Sequence, residues 1–432
     1  MRLVHVVLVL PLLCFELWAQ PQPSSSASDV LTLTSAIELA KAHSIQFRAA
    51  QADAALAKED RVQARSTLLP AITYNNQFLY TQGNGTPSGR FVANNAVHEY
   101  VSQGNAHEVI SVQQVADYRK AGALGALARA RAEVASRGLV ATVVQDYYAV
   151  LTSQRKHANA EIASDEASQF LDLSGKLEKG GEVAHSDVLK AQLQFNDRKR
   201  DLGDSEAELL KSRMDLAILI LPNVTIDFKL ADDMDEKPPL PEIAELRRAA
   251  AENNPDLKAA LAAVQASQEE LSAARAGHLP SLTLDYFYGI DATHFAVRND
   301  GIRNLGYAAA ATLNIPIFSW GATQSKVRQS LIRKDLAKLE LTTAQRQLLA
   351  NIETFHNEAG TAASQLATLQ ESVGFATESL RLTSLRYQAG ESTVLEVVDA
   401  QNTLNTARNA YVDGARRYKL ALANLQTLTG TL

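Results

Sequence analysis

The residues best placed to do chemistry are carboxylates that follow glycine turns. Glu396 and Asp399 come just after Gly390 and lie three apart, so on a helix they share one face. Asp187 occupies the matching stretch after Gly180 and Gly181. Acids there have two uses. In a first helical turn they complement free backbone N–H groups, and Thr393-Val394-Leu395-Glu396 has the spacing of a capping box. Gathered around a pore, they concentrate cations and repel anions. Tyr387 adds a hydroxyl beside the same turn, although it also ends an apolar helical seam and suits packing equally. Other chemistries find little support. Histidines 43, 98, 107, 157, 185, 278, 294 and 356 have neither paired i, i+4 spacing nor clustered acids, so no metal site is expected. Nucleophile elbow, Walker loop and dinucleotide fingerprint are all missing from the sequence, and the expectation is a non-enzyme without cofactors.

Turns of this kind need long elements to carry them. Of 432 residues 46% are apolar, aromatics are 6%, and Gly (21) and Pro (12) are scarce, a long-helix composition. Lys+Arg 42 against Asp+Glu 48 leaves −6, without a basic stripe to neutralise phosphates, so nucleic acid is not an expected partner. Met1-Arg2, an apolar run and Leu17-Trp18-Ala19 read as a secretory signal over residues 1–19, followed by an N-terminal segment, 20–43. The single cysteine, Cys14, lies in that leader behind Pro11-Leu12-Leu13, bulky where a lipid-acceptor cysteine requires small residues. Elsewhere the longest candidate span is the six-residue apolar run 216–221, whereas a membrane helix needs roughly 18. An exported chain of this kind meets a membrane only through a closed β-barrel.

The sequence repeats at half length. Leu69-Pro70-Ala71-Ile72-Thr73 recurs as Leu279-Pro280-Ser281-Leu282-Thr283, and Asp187-Val188-Leu189-Lys190-Ala191-Gln192 as Glu396-Val397-Val398-Asp399-Ala400-Gln401, at nearly the same offset. The first repeat is read as 44–221, with strands at about 70–117 and a long helix at about 119–178. A linker, 222–241, leads to the second, 242–430, with strands at about 280–318 and a long helix at about 321–388. Leu282, Leu284, Tyr286, Tyr288 and Ile290 alternate with Thr283, Asp285, Gly289 and Asp291, a strand pattern. The first copy is rougher: Ile72, Tyr74, Phe78 and Tyr80 alternate, but Glu108 interrupts its second run. Turn residues at 83–89 and 298–301 separate the paired strands. Leu348, Ile352, Phe355, Ala359, Ala362, Leu366, Leu369 and Val373 step by 4 and 3 along the second long helix, a heptad seam that calls for another helix.

Four amphipathic strands cannot cover their own edges. Two chains would supply eight strands, a filled barrel, and three would supply twelve, enough for a lumen. The fold class is therefore mainly α with a transmembrane β-barrel portion.

Over residues 31–428 the chain resembles the TolC-like outer-membrane efflux proteins. The resemblance rests on Asn254-Pro255-Asp256-Leu257, Leu-Pro before each strand pair, Pro316-Ile317-Phe318-Ser319-Trp320-Gly321, and Arg386-Tyr387-Gln388-Ala389-Gly390. It implies a homotrimer with a twelve-stranded barrel in outer-membrane lipid and an α-helical barrel crossing the periplasm. It also implies passive export of solutes from an inner-membrane pump through a periplasmic membrane-fusion adaptor protein. By the same resemblance Glu396 and Asp399, with Asp187 and Tyr387 nearby, line the closed tip, and the turns at Gly180, Gly181 and Gly390, expected to accept positive φ, meet the adaptor. The family often has a basic residue near the tip where this chain has Ser392. The first copy also departs at Val115-Ala116-Asp117-Tyr118-Arg119, where no proline or glycine marks the start of the long helix. The rival reading is a periplasmic coiled-coil adaptor or structural scaffold, which should carry one helical hairpin rather than two copies each with a strand pair.

Overall fold

The computed structural model describes residues 30–80, 98–223, 226–299 and 301–431; the expected leader with Cys14 and the turn residues 83–89 lie outside them. Each copy starts with a short and then a longer helix: α1 (Leu33–His43) and α2 (Ile45–Ser66), matched by α5 (Ile243–Asn253) and α6 (Pro255–Ala276). The break between them is a helix cap. Ser44 Oγ and Asn254 Oδ1 accept the N–H of Phe47 and Leu257, and Pro255 occupies a first-turn position where its missing N–H costs nothing. Because α1 has its counterpart in α5, the first repeat reaches back to Leu33, and the expected boundary at residue 44 falls inside it.

β1 (Ala71–Tyr80), β2 (His98–Ser111), β3 (Ser281–Ala292) and the last strand form one antiparallel sheet. Between β3 and that strand lies a small hairpin, β4 (Arg298–Asn299) and β5 (Ile302–Arg303), turned by Gly301 at φ +83°. The last strand, β6 (Leu305–Asn314), completes the order β1-β2-β3-β6. Tyr74, Gly104, Tyr288 and Tyr307 stand in one row across it. The two strand pairs, from different copies, are thus joined through β2 and β3, and among the described residues β1 and β6 are the free edges.

From the sheet run α3 (Val112–Lys179) and α7 (Ala322–Gln388), 68 and 67 residues, each about 100 Å long. They turn back into α4 (His185–Ile220) and α8 (Val394–Thr429). α3 begins seven residues before the expected start at 119. Ser111 is extended and its hydroxyl accepts the N–H of Gln114, so the strand yields to the helix there rather than near residue 117. In the second copy β6 stops at Asn314, short of 318. Pro316 follows, and the chain swings into α7 through Trp320 (φ +51°) and Gly321 (φ +82°).

α2 and α4 lie along α3, whereas α6 and α8 lie between α3 and α7, making a helical wall. The seam of α7 packs on α8: Leu348, Ile352, Ala359, Ala362 and Leu366 are buried, and a Cβ on Gly414 of α8 would stand 2.7 Å from Leu369. The main core lies midway, where Val140, Val143, Tyr147, Leu151, Leu216, Leu246 and Leu425 meet. The linker is no slack connection. It pairs with the N-terminus through a parallel bridge, Leu31 to Leu230, and its acids bind the helices beneath. Arg155 holds both Asp232 and Asp235 at 2.7–3.0 Å, and the buried Lys419 and Tyr148 both donate to Asp233, at 3.1 and 2.9 Å. None of the described helices is long and apolar enough to cross a membrane.

Candidate functional site

At the end remote from the sheet, α3 and α7 close with the same hydrogen-bonded turn. Gly181 and Glu182 donate to the carbonyls of Glu178 and Leu177, and Gly390 and Glu391 to those of Tyr387 and Arg386, at 2.8–3.1 Å. These bonds satisfy carbonyls that a helix end would leave free. Gly181 (φ +78°) and Gly390 (φ +76°) are left-handed, a conformation that costs other residues roughly 1–2 kcal/mol. Gly180 departs from the expectation: its φ is −76°, right-handed, and its counterpart is Ala389 at φ −85°. Glycine is required once per turn, at the residue where the helix reverses hand.

Glu396 is held by its own cap. Thr393 Oγ1 accepts the Glu396 N–H, and the Glu396 carboxylate accepts the Thr393 N–H and the Ser392 hydroxyl, the last at 2.9 Å. Arg386 stands 3.8 Å away and donates to the Glu391 carbonyl. The Ser392 hydroxyl, then the Thr393 N–H, hold this carboxyl below the usual glutamate range. Asp399 is exposed one turn on and has no hydrogen-bond or ion-pair partner among the described residues. Asp187 is half-buried and its charge is offset by Lys190 at 3.1 Å. Tyr387 is not on this surface. It is 2% exposed, 5.1 Å from the Phe170 ring, with its hydroxyl 3.1 Å from Ser174 Oγ, among Ala191, Val394 and Val397. Placing Tyr387 in the constriction is therefore corrected: it is the packing core of the tip and ties the second copy to the first.

Of the four residues singled out, Glu396 and Asp399 do share an exposed face, Asp187 lies on the neighbouring hairpin, and Tyr387 lies beneath. Sequence reasoning missed Arg386 and Ser392 as partners of Glu396; a serine four residues before an acid at a helix start was the available signal. It also missed the polar contacts that join the hairpins along their length: Lys156 to Asp413 at 2.7 Å, Asn159 to Asn409 at 3.1 Å and Glu166 to Arg408 at 3.2 Å. These partners are about 250 residues apart in sequence, and no local pattern links them.

The sheet has two unlike faces. Ile72, Tyr74, Phe78, Tyr286, Tyr288 and Tyr307 are all exposed on one, Ile72 at 84%. By register Thr73, Asn75, Gln103, Asn105, Asp285 and Thr312 occupy the other. Glu108 breaks the pattern, lying opposite Leu284 on the apolar face with one carboxylate oxygen buried and unpartnered among the described residues. At the junction with α7, Phe318 and Trp320 pack edge to face at 4.9 Å and are exposed. An apolar band rimmed by aromatics matches lipid, and strands of 10 to 14 residues are long enough to cross it.

Comparison with known proteins bears on this arrangement. Residues 246–431 match the family model described as outer membrane efflux protein. Over 95% of its length the chain is 24% identical to the proteases secretion protein PrtF of Dickeya chrysanthemi, covering 90% of that protein. It is 22% identical to the outer membrane protein TolC of Escherichia coli K12 over 94% of this chain and 84% of the relative. In fold it resembles the CmeC outer membrane channel of Campylobacter jejuni, with a TM-score of 0.82 at 16% identity over 92% of this chain and 85% of the other. The two copies share one sheet, an arrangement unlike a single-hairpin adaptor. In sequence and in fold the chain is thus similar to the TolC-like outer-membrane efflux proteins, whose family model matches its residues 246–431.

Proposed function

We propose that three copies close their sheets into a twelve-stranded barrel and that the channel serves as the passive exit duct of a tripartite efflux or type I secretion system. The observation that carries this reading is the sheet with one exposed apolar face and two free edges, β1 and β6, at the end of helices about 100 Å long. Lipid satisfies the face, and only a neighbouring copy satisfies both edges. The helical wall supports the same conclusion, because α2 buries none of its side chains and Ile332, Leu336 and Leu339 stand exposed on α7 at the opposite margin. Each margin would meet the other on the next copy. The tip turns would receive a periplasmic adaptor, and Glu396, Asp399 and Asp187 would form an acidic ring where three copies converge. An inner-membrane pump would choose the cargo; PrtF, which exports proteases by name, lends the secretion variant some support.

The test uses cysteine pairs across the proposed seam, one at Asn75 on β1 and one at Ala308 on β6, with neighbouring positions scanned to find the register. Oxidation in outer-membrane fractions should give covalent dimers and trimers, and the purified protein should conduct in planar bilayers. Cross-links in no register, with recovery as a soluble monomer, would refute the barrel.

A further inference from the structure

We propose that the pair His107–Asp285 sets the ion selectivity of the barrel lumen and makes it depend on pH. The inference rests on the barrel reading above, with the polar faces of three sheets turned inward. His107 and Asp285 are directly opposed across β2 and β3, and His107 Nδ1 lies 2.7 Å from Asp285 Oδ1. Their row continues as Ala71 on β1 and Ala310 on β6, so small side chains flank the pair and both members keep access to solvent, at 44% and 22% exposure. The groups facing it from each strand are Thr73 on β1, Asn105 and Val109 on β2, and Thr283 and Phe287 on β3, none of them charged. Farther along, the same face carries Glu99 and Asp291. The four strands contain no Lys or Arg at all.

A lumen wall built this way is acidic, and His107 is the one side chain on this face of the four strands that can take up a positive charge. With His107 neutral the pair carries one negative charge; with His107 protonated it carries none. Three copies turn this into a change of three charges on a narrow wall, where fixed charge sets the local concentration of ions. Acidification therefore weakens cation preference in the barrel, at a place about 100 Å from the tip along α3 and α7.

Reversal potentials of the full-length protein in planar bilayers under a KCl gradient test this. Between about pH 8 and about pH 5 the wild-type K⁺/Cl⁻ permeability ratio should fall at least about twofold. His107→Gln should keep the high-pH ratio throughout, and His107→Lys the low-pH ratio throughout. Asp285→Asn should fall below wild type at low pH, where the imidazolium has lost its counter-charge. Heat-modifiable trimer bands establish that each variant has assembled. A His107→Gln channel that keeps the whole wild-type shift, or an Asp285→Asn channel identical to wild type, overturns the proposal while leaving the barrel intact. A trimer that carries no current overturns the barrel reading, and this inference with it.

Discussion

Removing one charge at a time from the linker contact tests the middle of the molecule. Lys419 is 6% exposed and its ammonium reaches Asp233 at 3.1 Å; the Asp233 side chain is 33% exposed and has Tyr148 as a second donor. Asp233→Asn leaves a nearly buried ammonium without counter-charge, which costs about 3–5 kcal/mol. Lys419→Met leaves a carboxylate that keeps one hydroxyl donor and some water, a loss of about 1–2 kcal/mol. The ordering follows from burial, because the less hydrated ion loses more when its partner goes. The double variant, with neither charge, should lose clearly less stability than the two singles summed, with a coupling of about 1–3 kcal/mol. Tryptic cleavage at the exposed Lys229 reports opening of the linker. If opening equilibrates faster than cleavage, about 3 kcal/mol raises the rate roughly a hundredfold. Asp233→Asn cut no faster than wild type, or a double variant equal to the sum of the singles, would refute the argument that this ion pair fastens the linker.

Four further outcomes are expected. Tyr387→Phe should cost about 1 kcal/mol by unpairing Ser174, and Tyr387→Ala about 3–5 kcal/mol through the cavity beside Phe170, both seen as faster hydrogen exchange in the last turn of α7. Gly390→Ala should destabilise the tip by roughly 1 kcal/mol whereas Gly180→Ala should be near neutral, a contrast measurable by denaturation. Glu396→Gln combined with Asp399→Asn should lower cation preference in bilayers at neutral pH, and unchanged selectivity would remove both from the ion path. Because hydrogen bonds hold the Glu396 carboxyl below its ordinary range, its ionised cap persists as pH falls through the usual glutamate region and is lost only below it. The difference in hydrogen exchange between Glu396→Gln and wild type in the first turn of α8 should follow that course.

What the amino-acid order determined by itself was everything that depends on near neighbours. The duplication, the alternating strands around Tyr286, the heptad seam ending at Tyr387 and the left-handed glycines at 181 and 390 arise from local periodicity and backbone sterics. The cap at Ser111 was equally local, with Gln114 three residues on, but the apolar run past it imitated a continuing strand. Ser44 was legible as a boundary, but the helix before it, α1, was not, because nothing local shows that the cap divides two helices. Tertiary structure decided which of several compatible uses each side chain took. Tyr387 had the same spacing whether it faced a pore or a core, and only the approach of Phe170 and Ser174 from the other copy settled it. Asp232, Asp233 and Asp235 belong to the linker by sequence, and only the fold brings Arg155, Lys419 and Tyr148 beneath them. The pair His107–Asp285 joins residues 178 positions apart. Such pairings are products of the register between strands and of the faces that helices turn to one another, and both are settled by burial summed over the whole chain rather than by any short segment of it.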